Sequence, residues 1–191
     1  MSAGETLVGL FDSNTAPSGF VVLVDEQDNA IGTCEKMEAH RKGFLHRAFS
    51  VFVFDASGRL LLQQRALEKY HCGGLWSNTC CSHPYPNEEV LAAATRRLQE
   101  ELGFTTSLTK AFDFVYRAEL DNGLIEHEFD HVFIGNYEGS LDPNPAEVMG
   151  VEYVHLDELA TRIQAEPEQF TPWFHIAFPK VREWWQLNHT K

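Results

Sequence analysis

The sequence predicts an α+β domain with helices flanking a mixed β-sheet. Short β-rich runs and helical stretches follow one another without the strand–helix–strand rhythm of a parallel α/β fold. No internal repeat or linker divides the 191 residues, so the chain reads as one domain large enough for a full core. Apolar residues make up 43% of it, and they lie in short runs, none near the roughly 20 residues of a membrane span.

The formal net charge is −13, which argues against a nucleic-acid partner, since that requires a basic face. It leaves room for a small anionic substrate held by a local basic cluster. The N-terminus has no basic patch followed by an apolar run, so no secretory signal is read there. The four cysteines, Cys34, Cys72, Cys80 and Cys81, form no Cys-x-x-Cys pair. They read as free thiols of a reducing compartment. The expectation is a cytoplasmic protein without a membrane partner, monomeric rather than oligomeric.

Residues 1–19 carry Ser, Gly, Asn and Pro with little periodicity and are expected to form a flexible tail; 20–188 form the domain. Phe20–Val24 and Ala30–Cys34 flank a polar turn and predict an N-terminal β-hairpin. The basic stretch 36–47 reads as a loop. Ala48–Phe54 is rich in strong β formers, and Asp55-Ala56-Ser57-Gly58 turns it into a return strand over 59–65. Residues 70–76 read as a loop punctuated by Gly73-Gly74, followed by the loop Asn78-Thr79-Cys80-Cys81-Ser82-His83-Pro84.

A helix is expected over about 88–102, with Asn87 as N-cap and Gly103 as the stop. At ~100° per residue its apolar stripe is Leu91, Ala94, Leu98 and Leu102. Glu100 falls opposite that stripe and Glu101 on its shoulder, so Glu101 is the better candidate ligand. Strands over 112–120 and 124–137 flank Asp121-Asn122-Gly123. A three-residue connection sets Tyr116 opposite Glu128 and Ala118 opposite Glu126. Tyr116, Glu126 and Glu128 then share a face with Phe112 and Phe114. Two carboxylates beside an apolar wall are costly unless a metal or protons neutralise them. A last strand (152–156), a short helix (156–164) and an aromatic-rich helix (170–188) complete the chain.

The candidate metal ligands are His40, His46, His83, Glu126 and Glu128, a set suited to Mn²⁺, Zn²⁺ or Fe²⁺. The remaining six histidines, His71 among them, read as ordinary surface or capped residues. Glu101 suits Mg²⁺ bridging to a phosphorylated substrate, and Lys36, Arg65 and Lys69 can grip the same phosphates. Cys81 is the candidate nucleophile, acid or base; Cys80 reads as a small buried hydrophobe.

Ser82-x5-Glu88-x7-Arg96-Arg97-Leu98-x-Glu100-Glu101-x-Gly103-Phe104 resembles the Nudix box, with Ser82 replacing its opening Gly and Arg97 replacing the Glu after its Arg. The lost Glu serves the metal cluster of Nudix pyrophosphatases, which counts against plain hydrolysis. The chain is more similar to the type I isopentenyl-diphosphate Δ-isomerase family. The likeness runs over about residues 20–187, through Glu35-Lys36-x3-His40, Leu45-His46-Arg47-Ala48-Phe49-Ser50, Gln64-Arg65-Ala66, Trp76–Pro84, Tyr116-Arg117-Ala118, Glu126-His127-Glu128 and Phe170-Thr171-Pro172-Trp173.

The resemblance implies a Nudix-like mixed sheet sandwiched between helices, with the N-terminal hairpin as an extension. It implies Cys81 and Glu128 as the catalytic pair, with Tyr116 hydrogen-bonded near Glu128. His40, His46, His83, Glu126 and Glu128 would bind one divalent metal, Mn²⁺ or Zn²⁺. Glu101 and the substrate diphosphate would bind Mg²⁺. Lys36, Arg65 and Lys69 would contact the diphosphate. Some members place a tryptophan over the substrate where this chain has Phe178, which leaves Trp76 or Trp173 for that part.

The implied reaction adds a proton to the terminal carbon of isopentenyl diphosphate and removes one from the neighbouring methylene. It passes through a tertiary carbocation, so water must be kept out and an aromatic face is useful, worth ~2 kcal/mol or more when desolvated. Glu128 with Tyr116 is expected to give the proton and Cys81 to take one. A Nudix hydrolase would explain the helix but leave Cys81 and Tyr116 idle. A non-catalytic metal module would leave the basic cluster idle.

Overall fold

The computed structural model describes residues 19–189. The flexible tail expected over 1–19 lies outside them but for Gly19. The elements in chain order are β1 (Phe20–Val24), β2 (Ala30–Glu35), α1 (Lys36–Lys42), β3 (His46–Phe54), β4 (Arg59–Arg65), β5 (Trp76–Ser77), β6 (Cys80–Ser82), α2 (Val90–Leu102), β7 (Leu108–Glu119), β8 (Ile125–Asn136), β9 (Val148–His155), α3 (Leu156–Ala165) and α4 (Pro172–His189). Among the described residues no helix is long and apolar enough to cross a membrane.

The sheet is mixed and centred on β3. β3 pairs in parallel with β8 from His46↔Glu128 to Phe54↔Asn136, and antiparallel with β6 through Ser50↔Cys81. β7 and β8 form the expected hairpin, β4 pairs with β9, and β1–β2 is the N-terminal hairpin. Side chains alternate across each strand, and the two faces enter two cores. Phe52, Phe54, Leu60 and Leu62 meet Phe174, Ala177 and Phe178 of α4. Phe49, Val51, Val53 and Leu61 meet Ala94, Leu98 and Leu102 of α2. The sheet is thus sandwiched between helices, as the resemblance implied.

Local departures from the sequence reading have local causes. Residues 36–42 are helical, not loop, because the Glu35 carboxylate accepts from the backbone N–H groups of Met37 and Glu38 and Gly43 closes the helix at φ +64°. Cys80–Ser82, read as loop, is a strand because β3 offers it a free edge. Asn87 does not cap α2. It sits at φ +67° in a turn, where Glu88 accepts from the Tyr85 N–H and pairs with Arg96, and the helix begins at Val90. The buried stripe of α2 is Ala93, Ala94, Leu98, Glu101 and Leu102. Leu91 lies outside it and is exposed, while Glu101 lies within it rather than on its shoulder.

Candidate active site

The site is a polar pocket at one end of the sheet, on the α4 side of β3, β6, β7 and β8. The hairpin register puts Tyr116 opposite Glu128 and Ala118 opposite Glu126, as the connection length predicted. The Tyr116 hydroxyl donates to Glu128 Oε2 at 2.5 Å and lies 3.0 Å from Glu126 Oε2. One O–H has one proton to give, so the two carboxylates share this donor. Phe112 and Phe114 pack beside them.

The histidines come from three elements: His40 from α1, His46 from the start of β3 and His83 from just past β6. His40 and His46 each donate Nδ1–H to a backbone carbonyl, of Lys36 and Phe44, both at 2.7 Å. That choice of tautomer leaves the Nε2 lone pairs free for a cation. His83 Nε2 is 3.1 Å from His46 Nε2 and 2.8 Å from Glu128 Oε1. One ligand atom from each of His40, His46, His83 and Glu128 falls within 4.8 Å of all the others. His40 Nε2 is buried without a hydrogen-bond partner, which an absent cation would explain. Glu126, expected in the same set, groups instead with His40 and His71.

Burial pushes both carboxyls of this site upward, and the His46 and His83 contacts reverse the direction at Glu128 alone. Glu128 is therefore held well below the ordinary carboxylate range. Burial, with the Glu128 charge beside it, lifts Glu126 well above that range. Burial also lowers His40, and brings His83 down to about 3. Neutral imidazoles and a carboxylate are the forms a divalent ion needs.

Cys81 lines the pocket, while Cys80 packs into the α2 core. Burial pushes the Cys81 thiol up, Arg65 opposing it, and the Tyr116 phenol is pushed up by burial and then by Glu126. Both groups thus hold their protons more tightly than a free thiol or phenol does.

Lys36, Arg65 and Lys69 line the pocket with Arg97 of α2. Lys69 pairs with Glu147. The Arg65 guanidinium lies over Trp173 at 5.1 Å. Arg97 occupies the place of a Nudix-box glutamate and binds Glu100 Oε2 and Glu101 Oε1, each at 2.6 Å. Gln63 donates to the other Glu101 oxygen at 2.8 Å. Glu101 is buried among these partners and also faces the pocket. Trp173, whose indole donates to Ser77 Oγ at 2.9 Å, lines the pocket together with Tyr70. Phe178 belongs to the core, 5.6 Å from the Phe174 ring. Trp76 packs on the same core and does not line the pocket.

The sequence reading missed His71. It is buried and lines the pocket, with Nε2 at 3.6 Å from Glu126 Oε1. The only hint in the chain is Gly73: a Cβ there would lie 2.3 Å from the Leu67 carbonyl oxygen, so glycine lets this loop fold back on itself.

A strand–helix arrangement with a box-bearing α2 beside a polar pocket is that of a Nudix domain. The NUDIX domain family matches residues 44–174. Solved structures share the fold. One is a protein from Deinococcus radiodurans (TM-score 0.65, 20% identity, covering 76% of this chain and 89% of that one). Another is the MutT protein of Methanosarcina mazei Go1 (TM-score 0.61, 16% identity, 76% and 96% covered).

Sequence relatives narrow the class. The chain is 55% identical over 166 residues (87% of this chain, 93% of the relative) to the isopentenyl-diphosphate Delta-isomerase of Pectobacterium atrosepticum. It is 54% identical over 168 residues (88% and 89%) to isopentenyl-diphosphate Delta-isomerase 2 of Aromatoleum aromaticum. The chain belongs to the isopentenyl-diphosphate Delta-isomerase family of NUDIX proteins.

Proposed function

We propose that this chain is an isopentenyl-diphosphate Δ-isomerase. It interconverts isopentenyl and dimethylallyl diphosphate by protonation and deprotonation through a tertiary carbocation, and so supplies isoprenoid biosynthesis. The observation that carries the reading is the pairing of two proton stations in one pocket: the Cys81 thiol, and the Tyr116 hydroxyl 2.5 Å from Glu128. A hydrolase has no use for the first and an inert metal module none for either.

One station gives a proton to the alkene and the other takes one from the adjacent carbon. The reaction runs both ways, so each serves as donor in one direction and acceptor in the other. Lys36, Arg65 and Lys69 hold the diphosphate by charge-assisted bonds, with Arg97 beside them. Trp173 faces the hydrocarbon, where its indole stabilises the cation and keeps water away.

His40, His46, His83 and Glu128, with Glu126 joined to Glu128 through the Tyr116 hydroxyl, fit a Mn²⁺ or Zn²⁺ ion, and Glu101 with the substrate diphosphate fits Mg²⁺. Such ions supply positive charge that keeps the buried carboxylates ionised and offsets the diphosphate. In this reading the protein works as a cytoplasmic monomer on a small diphosphate, with neither nucleic acid nor membrane as partner.

The test is proton NMR of isopentenyl diphosphate with the protein and Mg²⁺ in D₂O. Dimethylallyl signals with deuterium entering the methyl groups are expected. An intact alkene with released phosphate would instead point to hydrolysis.

A further inference from the structure

Trp173 reaches the pocket from the first turn of α4, and Cys81 reaches it from β6. Between their elements sit two polar side chains with no solvent exposure, Ser77 of β5 and Asn78 just past it. Neither lines the pocket. The Trp173 indole donates to Ser77 Oγ at 2.9 Å. Ser77 Oγ lies 2.9 Å from Asn78 Oδ1 and 3.1 Å from Thr171 Oγ1. Asn78 Nδ2 donates to the Cys80 carbonyl at 2.8 Å and to the Val51 carbonyl at 3.2 Å.

The chemistry of these groups leaves one assignment of protons. An indole nitrogen only donates. Asn78 turns its amide nitrogen to two carbonyls, so its Oδ1 accepts. The single Ser77 proton therefore goes to Asn78, and the two Ser77 lone pairs take Trp173 and Thr171. The indole is thus tied to the Cys80 carbonyl, next to Cys81, by three hydrogen bonds in series. The backbone runs alongside. Trp76 bridges Phe170 in parallel, and the Thr171 N–H donates to the Trp76 carbonyl at 3.0 Å.

We propose that Ser77 and Asn78 are positioning residues for the reaction, a buried mount that fixes the Trp173 indole relative to Cys81. Burial of a serine and an asparagine costs free energy until their polar atoms are bonded. A satisfied polar network in return holds its neighbours in a single arrangement. Tied through Nε1, the indole cannot turn about its broad χ2 torsion. Its face stays where the cation forms, and Cys81 stays where the proton moves. This rests on the isomerase reading of the pocket.

The test is steady-state isomerisation of isopentenyl diphosphate by four variants, with melting curves beside it. Ser77→Ala and Asn78→Ala should lower kcat roughly 30-fold, the rate equivalent of one desolvated cation–π contact. KM should change less than about threefold, because the proposed diphosphate contacts are untouched. Ser77→Thr keeps the hydroxyl and should restore most of kcat. Thr171→Val removes a bond to Ser77 outside the series, so it should lower the melting temperature and keep kcat within about twofold. A Ser77→Ala enzyme that melts lower at unchanged kcat overturns the mount and leaves the isomerase standing. So does a Thr171→Val enzyme that loses as much kcat as Ser77→Ala. A parent chain that does not isomerise overturns both readings. If the alanine variants do not fold, ¹⁵N NMR of the unaltered chain decides. The Trp173 indole proton should resist exchange with solvent in the substrate complex, and free exchange there overturns the mount.

Discussion

Cys80 and Cys81 are neighbours in sequence and lie on opposite faces of one short strand. The pairing Ser50↔Cys81, Val51↔Cys80 with β3 sets this alternation. Cys80 joins Phe49, Leu98 and Leu102 in the α2 core, while Cys81 lines the pocket. Cys81→Ala should therefore lower isomerisation by roughly 10²–10⁴-fold, the range for loss of a general acid or base. Cys80→Ala should keep most activity and cost about 1 kcal/mol of stability. Turnover by the two variants, measured beside their denaturant midpoints, checks this. Equal loss of turnover in both would assign the proton to the wrong thiol.

The Tyr116–Glu128 contact is the second of the two proposed proton stations. Tyr116→Phe removes the shared donor and leaves the two buried carboxylates facing each other. Its kcat should drop about 10²-fold or more, with about 1–3 kcal/mol lost from stability. Glu128→Gln should lose turnover at least as completely. Single-turnover rates on both variants separate this from a binding defect, because both leave untouched the diphosphate contacts proposed for Lys36, Arg65 and Lys69.

This hairpin was legible from the residues alone. A three-residue connection and a period of two left one register that puts Tyr116, Glu126 and Glu128 together. Cys81 is preferred to Cys80 among the residues and again by the resemblance, and the strand alternation supplies the physical reason. His71 and α1 were not legible. The placement of His71 depends on a loop returning over its own backbone at Gly73, which no periodicity encodes. α1 depends on one capping carboxylate, Glu35, in a run whose charges read as a solvated loop. The swing of Glu101 into the buried stripe follows from Arg97 and Gln63, which hold its two oxygens and make its burial tolerable.

Removing divalent metal should destabilise the protein. Without the ion, Glu126 and Glu128 lie buried side by side and His40 Nε2 lacks a partner. An ion at about 100 times its Kd adds about 2.7 kcal/mol, so a chelator should lower the Tm by roughly 5–10 °C for a domain of this size. Mn²⁺ or Zn²⁺ should restore it, and His40→Ala should abolish the response. A His40→Ala protein that melts and recovers like the parent would remove His40 from the site. Differential scanning calorimetry measures each case.

Lys36 gives the pH dependence a sign. Burial first, then the neighbouring Lys69 charge, bring its ammonium down to about 8, whereas an unfolded lysine titrates near 10.4. Between those values the unfolded chain binds the extra proton. Lys36 therefore costs stability below about pH 8, and the cost is relieved as pH rises from there towards about 10. Binding runs the other way. The free site loses a positive charge above about pH 8, so kcat/KM should fall there. Bound diphosphate keeps the ammonium charged, so kcat should fall later. Lys36→Arg holds its charge throughout and should move the falling limb of kcat/KM upward, even if its overall level drops. A limb that stays in place in Lys36→Arg would belong to another group.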